Sequence, residues 1–200
     1  MLFRSVSTDD VQIQPDASPT VSSAGADQNI CGTSAVLGGN VPVTGTGLWS
    51  VVSGAGGSFV LNTNPVTTFN GVAGTTYILR WTISNGVCPV STDEVQIRLD
   101  QTPTGSNAGT DQVVCGTSAT LGGNLPAIGT GVWTISAGAG GSVITPSSPT
   151  SPFTGVAGTT YTLTWTISNG VCAVSTDDVQ IQLDASPTVS SAGADQNICG

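Results

Sequence analysis

The sequence predicts an all-β chain built from tandem β-sandwich repeats of 84 residues, and three observations predict it. Val, Ile, Leu, Trp and Tyr alternate with Thr and Ser over short runs, the pattern of half-buried strands. No stretch of ten or more residues combines helical apolar spacing with helix-forming residues. The chain is also self-similar at a fixed period: STDDVQIQ at Ser7 returns as STDEVQIR at Ser91 and as STDDVQIQ at Ser175, 84 residues apart each time (91 − 7 and 175 − 91). Residues 7–90 align with 91–174 without a gap and with 52 of 84 positions identical, so each period is one unit of fixed strand and loop lengths. Residues 175–200 differ from 7–32 only where Leu183 replaces Pro15.

The elements of one period follow from alternation and turn signals. SAVLGGN and SATLGGN each give a short strand, with Ala35 and Leu37, then Ala119 and Leu121, facing inward. GTGLWSVVSG and GTGVWTISAG are glycine-bounded strands carrying Trp49 and Trp133. In TYILRWTIS, Tyr77, Leu79, Trp81 and Ile83 occupy one face and Thr76, Ile78, Arg80 and Thr82 the other. Asn85-Gly86 then reads as a two-residue type I′ turn, since both residues tolerate positive φ. The return strand runs through Val95, Ile97 and Leu99. About seven short strands per period, joined by close turns, make a sandwich.

These signals set the expected boundaries. Residues 1–17 are the terminal strand of a preceding repeat, 18–101 the first full repeat, 102–185 the second, and 186–200 the first strand of a truncated third. The linkers DASPT and DQTPT are short and contain Pro, which favours a semi-rigid row.

Composition excludes several classes of function. Hydrophobic residues are 38% of the chain and charged residues 8%, the reverse of a disordered segment. There is no His and no Lys; Arg4, Arg80 and Arg98 face twelve carboxylates. Phosphate contacts need clustered Lys or Arg, so nucleic acid and anionic membrane surfaces are not expected partners. No apolar run approaches the roughly eighteen residues of a spanning helix, so membrane insertion is not expected either. Met1–Ser5 are too short for a signal peptide, which places any such signal upstream.

Five cysteines keep the period: Cys31, Cys115 and Cys199, then Cys88 and Cys172. Pairing within a unit joins Cys31 to Cys88 and Cys115 to Cys172; pairing between units joins Cys88 to Cys115 and Cys172 to Cys199. Cys88 follows the hairpin at the top of the last strand, which runs down for about 33 Å at roughly 3.3 Å per residue. If the next unit climbs its own first strand before reaching Cys115, Cys88 and Cys115 are a domain length apart, beyond the roughly 7 Å that a disulfide allows between Cα atoms. The expected bridges are therefore Cys31–Cys88 and Cys115–Cys172, with Cys199 unpaired. Loops of this length contribute on the order of 4 kcal/mol each, and they imply an oxidising compartment.

Catalytic residues are not expected. Without His there is no Ser-His-Asp or Cys-His arrangement and no imidazole for zinc, and without Lys there is no Schiff base. Asp93-Glu94 could serve as a glycosidase pair only from a strand start with no cleft-forming insertion. No cofactor is expected, weak calcium between domains being the one alternative. The carboxylates gather near the junctions as Asp9, Asp10, Asp16 and Asp27, then Asp93, Glu94, Asp100 and Asp111, then Asp177, Asp178, Asp184 and Asp195. No EF-hand spacing or DxDxD run is present, and surface charge that opposes aggregation is the plainer reading. SGAGGS and SAGAGGS lack the Lys of a phosphate loop and read as loop glycines. Trp49, Trp81, Trp133 and Trp165 could stack sugars if exposed, but their register with Leu and Ile places them in the core.

The stretches AGADQNICGTSAVLGGN, GTGLWSVVSGAGGS and VAGTTYILRWTISNGVCPVSTDEVQI resemble the PKD-like, immunoglobulin-like repeats of very large bacterial surface proteins. Those repeats occur in adhesins and gliding-associated proteins exported by the type IX route. The resemblance covers nearly the whole chain, although the WDFGDG-type motif of generic PKD domains is absent. It implies an immunoglobulin-like sandwich and extracellular display on a bacterial cell surface, in a structural or adhesive role. No catalytic or ligand-binding residue carries over from it. The expected function is thus a disulfide-stapled rod or fibre segment whose partners are its neighbouring repeats. The alternatives are a module binding a surface glycan or protein through repeat avidity, or a filament subunit that assembles by strand addition.

Overall fold

The structure, a computed structural model, describes residues 9–199. Residues 1–8 of the expected terminal strand lie outside that range. The described residues contain fourteen strands and no helix. They divide into two compact units, Met1–Asp100 and Gln101–Gly200.

Unit 1 holds β1 (Gln28–Cys31), β2 (Ser34–Val36), β3 (Thr46–Ser53), β4 (Ser58–Phe59), β5 (Thr68–Asn70), β6 (Thr75–Ser84) and β7 (Ser91–Asp100). One sheet has the order β1-β7-β6-β3 and the other β2-β5-β4. Unit 2 repeats the plan 84 residues on, with β8 (Gln112–Cys115), β9 (Ser118–Thr120), β10 (Thr130–Ala137), β11 (Ser142–Val143), β12 (Pro152–Thr154), β13 (Thr159–Ser168) and β14 (Ser175–Asp184). Its sheets run β10-β13-β14-β8 and β11-β12-β9.

The long β6–β7 hairpin sets the core. Antiparallel pairing from Thr75↔Leu99 to Ile83↔Ser91 aligns two period-2 patterns, so Tyr77, Leu79, Trp81, Ile83, Val95, Ile97 and Leu99 share one buried face. Trp49 of β3 adds to that face, while Ala35 of β2 and Phe69 of β5 cover it from the second sheet. All four tryptophans are at most 2% exposed, as their register predicts. Their indole N–H groups are also satisfied: Trp81 Nε1 donates to Asn40 O and Trp49 Nε1 to Pro65 O, both at 3.2 Å. Tyr77 Oη donates to Ala55 O at 2.8 Å and accepts from Val72 N at 2.9 Å, which pins two loops to the core.

Two sequence expectations are corrected here. The β6–β7 connection is not a two-residue type I′ turn, because six residues, 85–90, separate the strands. Cys88 N donates to Asn85 O at 3.2 Å, and of the turn's residues only Gly86 has positive φ, at 54°. A single positive φ at the first central position fits a type II′ geometry, and glycine adopts it without a Cβ clash. The second correction concerns the ends. Residues 9–17 and 186–199 form no strand, and Val11 and Ile13 are more than 80% exposed. The Val and Ile of the same VQI sequence are buried within β7 and β14, where β6 and β13 supply the ladder; a strand sequence without a neighbour has no sheet to join.

Candidate functional site

Part of each unit's polar network lies at its hairpin end, where the chain also enters. Ser22 N donates to Ser91 Oγ at 2.9 Å and Ala24 N to Asp93 Oδ2 at 2.7 Å, so residues 18–25 lie beside the start of β7. Asn40, from the GGN stretch shared by both repeats, clamps this segment from the other side. Its Oδ1 accepts from Ser23 N at 2.8 Å and its Nδ2 donates to Val21 O at 2.9 Å. The segment then continues into β1, which pairs with β7 in parallel, from Gln28↔Ile97 to Cys31↔Asp100.

That parallel pairing overturns the expected cysteine bridges. The chain enters beside the hairpin and runs with β7, so Cys31 finishes at the far end of the unit from Cys88. The ten residues of β7 span about 30 Å at roughly 3.3 Å per residue, far beyond disulfide reach. In unit 2, Cys115↔Asp184 repeats the placement and removes Cys172 from Cys115 in the same way. Neither Cys31–Cys88 nor Cys115–Cys172 is formed: Cys88, Cys115 and Cys199 are free thiols, while Cys31 and Cys172 are each disulfide-bonded.

Around the hairpin turn of unit 1, three contacts hold the incoming chain. Asn85 Nδ2 donates to Ala17 O at 2.8 Å, Val87 N to Asp16 Oδ2 at 3.1 Å, and Cys88 Sγ lies 3.4 Å from Asp16 O. Unit 2 reproduces the first of these, with Asn169 Nδ2 donating to Gln101 O at 2.7 Å.

Several of the carboxylates, read from sequence as surface charge or as calcium ligands, serve as clips on backbone N–H groups. Besides Asp93 on Ala24, Asp27 Oδ1 accepts from Gln96 N at 2.8 Å. Asp177 and Asp111 do the same for Ala108 N and Gln180 N in unit 2, at 2.7 and 2.9 Å. Glu94 pairs with Arg80 at 2.6 Å on the open face of the β6–β7 hairpin, an exposed ion pair of small energetic weight. Asp100 pairs with Arg98 at 2.7 Å. Among the described residues, no three or more of His, Cys, Asp and Glu are gathered as a metal site requires. Asp93→Ala should cost unit 1 about 2 kcal/mol, the usual penalty for removing a charged acceptor from a part-buried N–H. Hydrogen exchange checks it: the Ala24 amide should lose protection, while Ala108, clipped by the intact Asp177, keeps its own.

No protein-family model matches the chain. No curated protein matches it either. Among solved structures, the immunoglobulin domains 1–4 of Sidekick-1 align with a TM-score of 0.56 and 10% identity, over 89% of this chain and 51% of that one. The chain has an immunoglobulin-like sandwich fold, twice. A PKD domain from the KIAA 1837 protein is 24% identical over 44% of this chain and 95% of its own, with a TM-score of 0.38. Fibronectin(III)-like modules of Clostridium thermocellum CbhA match 88% of this chain and all of theirs at 15% identity, with a TM-score of 0.36. At these identities the likeness concerns fold alone.

Proposed function

We propose that the two immunoglobulin-like units are structural repeats of an extracellular bacterial surface protein, acting as spacer or adhesive modules rather than as catalysts. The observation that supports this most is how many of each unit's aromatic, carboxylate and amide side chains are engaged in its own construction. The tryptophans are core, five aspartates hold backbone N–H groups, and the asparagines of the GGN and SNG stretches clamp the entering chain. A unit built this way offers mechanical continuity: β-strands bonded side by side, repeated with few changes. The oxidised cysteines favour an oxidising location.

Display is the testable core of this reading. Antibodies raised against the 200-residue chain should label intact cells of the source organism, and protease added outside should remove the signal. Labelling that appears only after permeabilisation would refute extracellular display.

A further inference from the structure

We propose that Asn85 and Asn169 are sites of spontaneous deamidation, each restrained by the chain segment it clamps, and that Asn70 is protected. The tripeptide Asn-Gly-Val stands at residues 70–72, 85–87 and 169–171. It favours this chemistry because glycine has no Cβ to shield its own amide nitrogen and leaves the backbone free to rotate. Local sequence makes the three sites alike; their surroundings separate them.

In the reaction the glycine amide nitrogen attacks Cγ of the asparagine side chain. An N–Cγ bond forms and the Cγ–Nδ2 bond breaks. The proton lost from the glycine nitrogen is regained, through water, by Nδ2, which leaves as ammonia. Water then opens the resulting succinimide at either carbonyl, giving aspartate or, with the backbone rerouted through Cβ, isoaspartate. Nothing is oxidised or reduced, and water is the only co-reactant.

Asn70 is poorly placed for this. It lies in β5, the central strand of its sheet, paired with Ser34 of β2 on one side and Ser58 of β4 on the other. Gly71 N, the attacking atom, donates to Thr33 O at 2.8 Å. Reaction there requires the sheet around β5 to open. Asn85 and Asn169 instead follow the ends of β6 and β13, outside any ladder, half-buried and each next to an exposed glycine. Among the described residues, no acceptor takes the amide of Gly86 or Gly170.

What restrains these two is the side chain. Asn85 Nδ2 donates to Ala17 O at 2.8 Å and Asn169 Nδ2 to Gln101 O at 2.7 Å, so Cγ cannot turn toward the glycine nitrogen while the bond holds. In unit 1 the Asp16 carboxylate adds to the restraint. It accepts from Val87 N at 3.1 Å, and a Cβ at Gly86 would collide with it. It therefore fixes the turn and sets negative charge beside the nitrogen that must lose a proton. Deamidation at Asn85 is thus gated by release of residues 16–17 from the turn, and it makes that release permanent. The product has no N–H to offer Ala17 O, and its carboxylate is repelled by that of Asp16.

The 200-residue chain, aged in neutral buffer and mapped by peptide mass spectrometry with isoaspartyl methyltransferase labelling, tests this. Asn85 and Asn169 should convert on the order of tenfold faster than Asn70. In urea all three should convert at similar rates, because they share the tripeptide. Asp16→Ala should speed conversion at Asn85 several-fold and leave Asn169 as it was. In the deamidated fraction, separated by its added negative charge, the Val87 amide should exchange faster than in the unmodified chain. Equal rates at the three sites of the folded chain would overturn the proposal. So would an Asp16→Ala chain in which Asn85 reacts no faster. A rise shared by Asn70 would mean that unit 1 had opened as a whole, and it would overturn the gate.

Discussion

Replacing Trp81 by Ala should destabilise unit 1 by about 4 kcal/mol, within the range found when large aromatic side chains are removed from cores. Trp81 is fully buried at the middle of β6, and its ring centroid lies 5.0 Å from that of Trp49 across the β3–β6 ladder. Truncation removes the area buried by the indole and the contact with Trp49, and it strips Asn40 O of its donor. Domains of this size are stable by about 0.05–0.15 kcal/mol per residue, or very roughly 4–13 kcal/mol, so the loss is a third or more of the total. Urea unfolding should show two separated transitions, with that of unit 1 moved to lower denaturant and that of unit 2, which retains Trp165, in place. A single unshifted transition would mean that the β6 face is not the core of the unit.

The second large effect is expected from a smaller change, Gly47→Ala, at about 3 kcal/mol. A Cβ at Gly47 would fall 2.1 Å from Cζ2 of Trp81, and at Gly131 of unit 2 the same distance from Cζ2 of Trp165. The close approach comes from the edge strand, where Gly47 lies opposite Ile83 and two residues from Trp49, so the Trp81 ring lies over the glycine. Neither Gly47 nor Gly131 has positive φ, so the cost is steric overpacking and not backbone strain. Combining Gly47→Ala with Trp81→Ala should cost less than the sum of the two, since the cavity receives the added methyl. Gly38→Ala is the control: a Cβ there meets nothing within 4 Å, and its effect should stay within about 0.5 kcal/mol. Equal losses at Gly38 and Gly47 would show that the glycines act through chain entropy and not through the ring.

How far the sequence reaches is clearest from these residues. Alternation in TYILRWTIS and EVQIRL assigns every core position of β6 and β7, because a period of two has only one buried face once the hairpin is in register. The period of 84 likewise determines that two units share one plan. Gly47 gave no such signal; it read as strand punctuation, and only the placement of Trp81 on the neighbouring strand shows why a side chain is excluded there.

The opening reading, an all-β tandem repeat, therefore belonged to the sequence, while the cysteines and carboxylates awaited the tertiary structure. Alternation says which side chains face inward but carries no information about strand direction. The parallel run of β1 beside β7, which sends Cys31 away from Cys88, was invisible in it. The clips of Asp93 on Ala24 and Asp27 on Gln96 each span 69 residues, a separation that leaves no local pattern to read. Local sequence determines which face of a strand is buried once the strand joins a sheet, because that face follows the periodicity along one strand. Which distant residues meet is decided by strand order and direction, and those are properties of the assembled sheet.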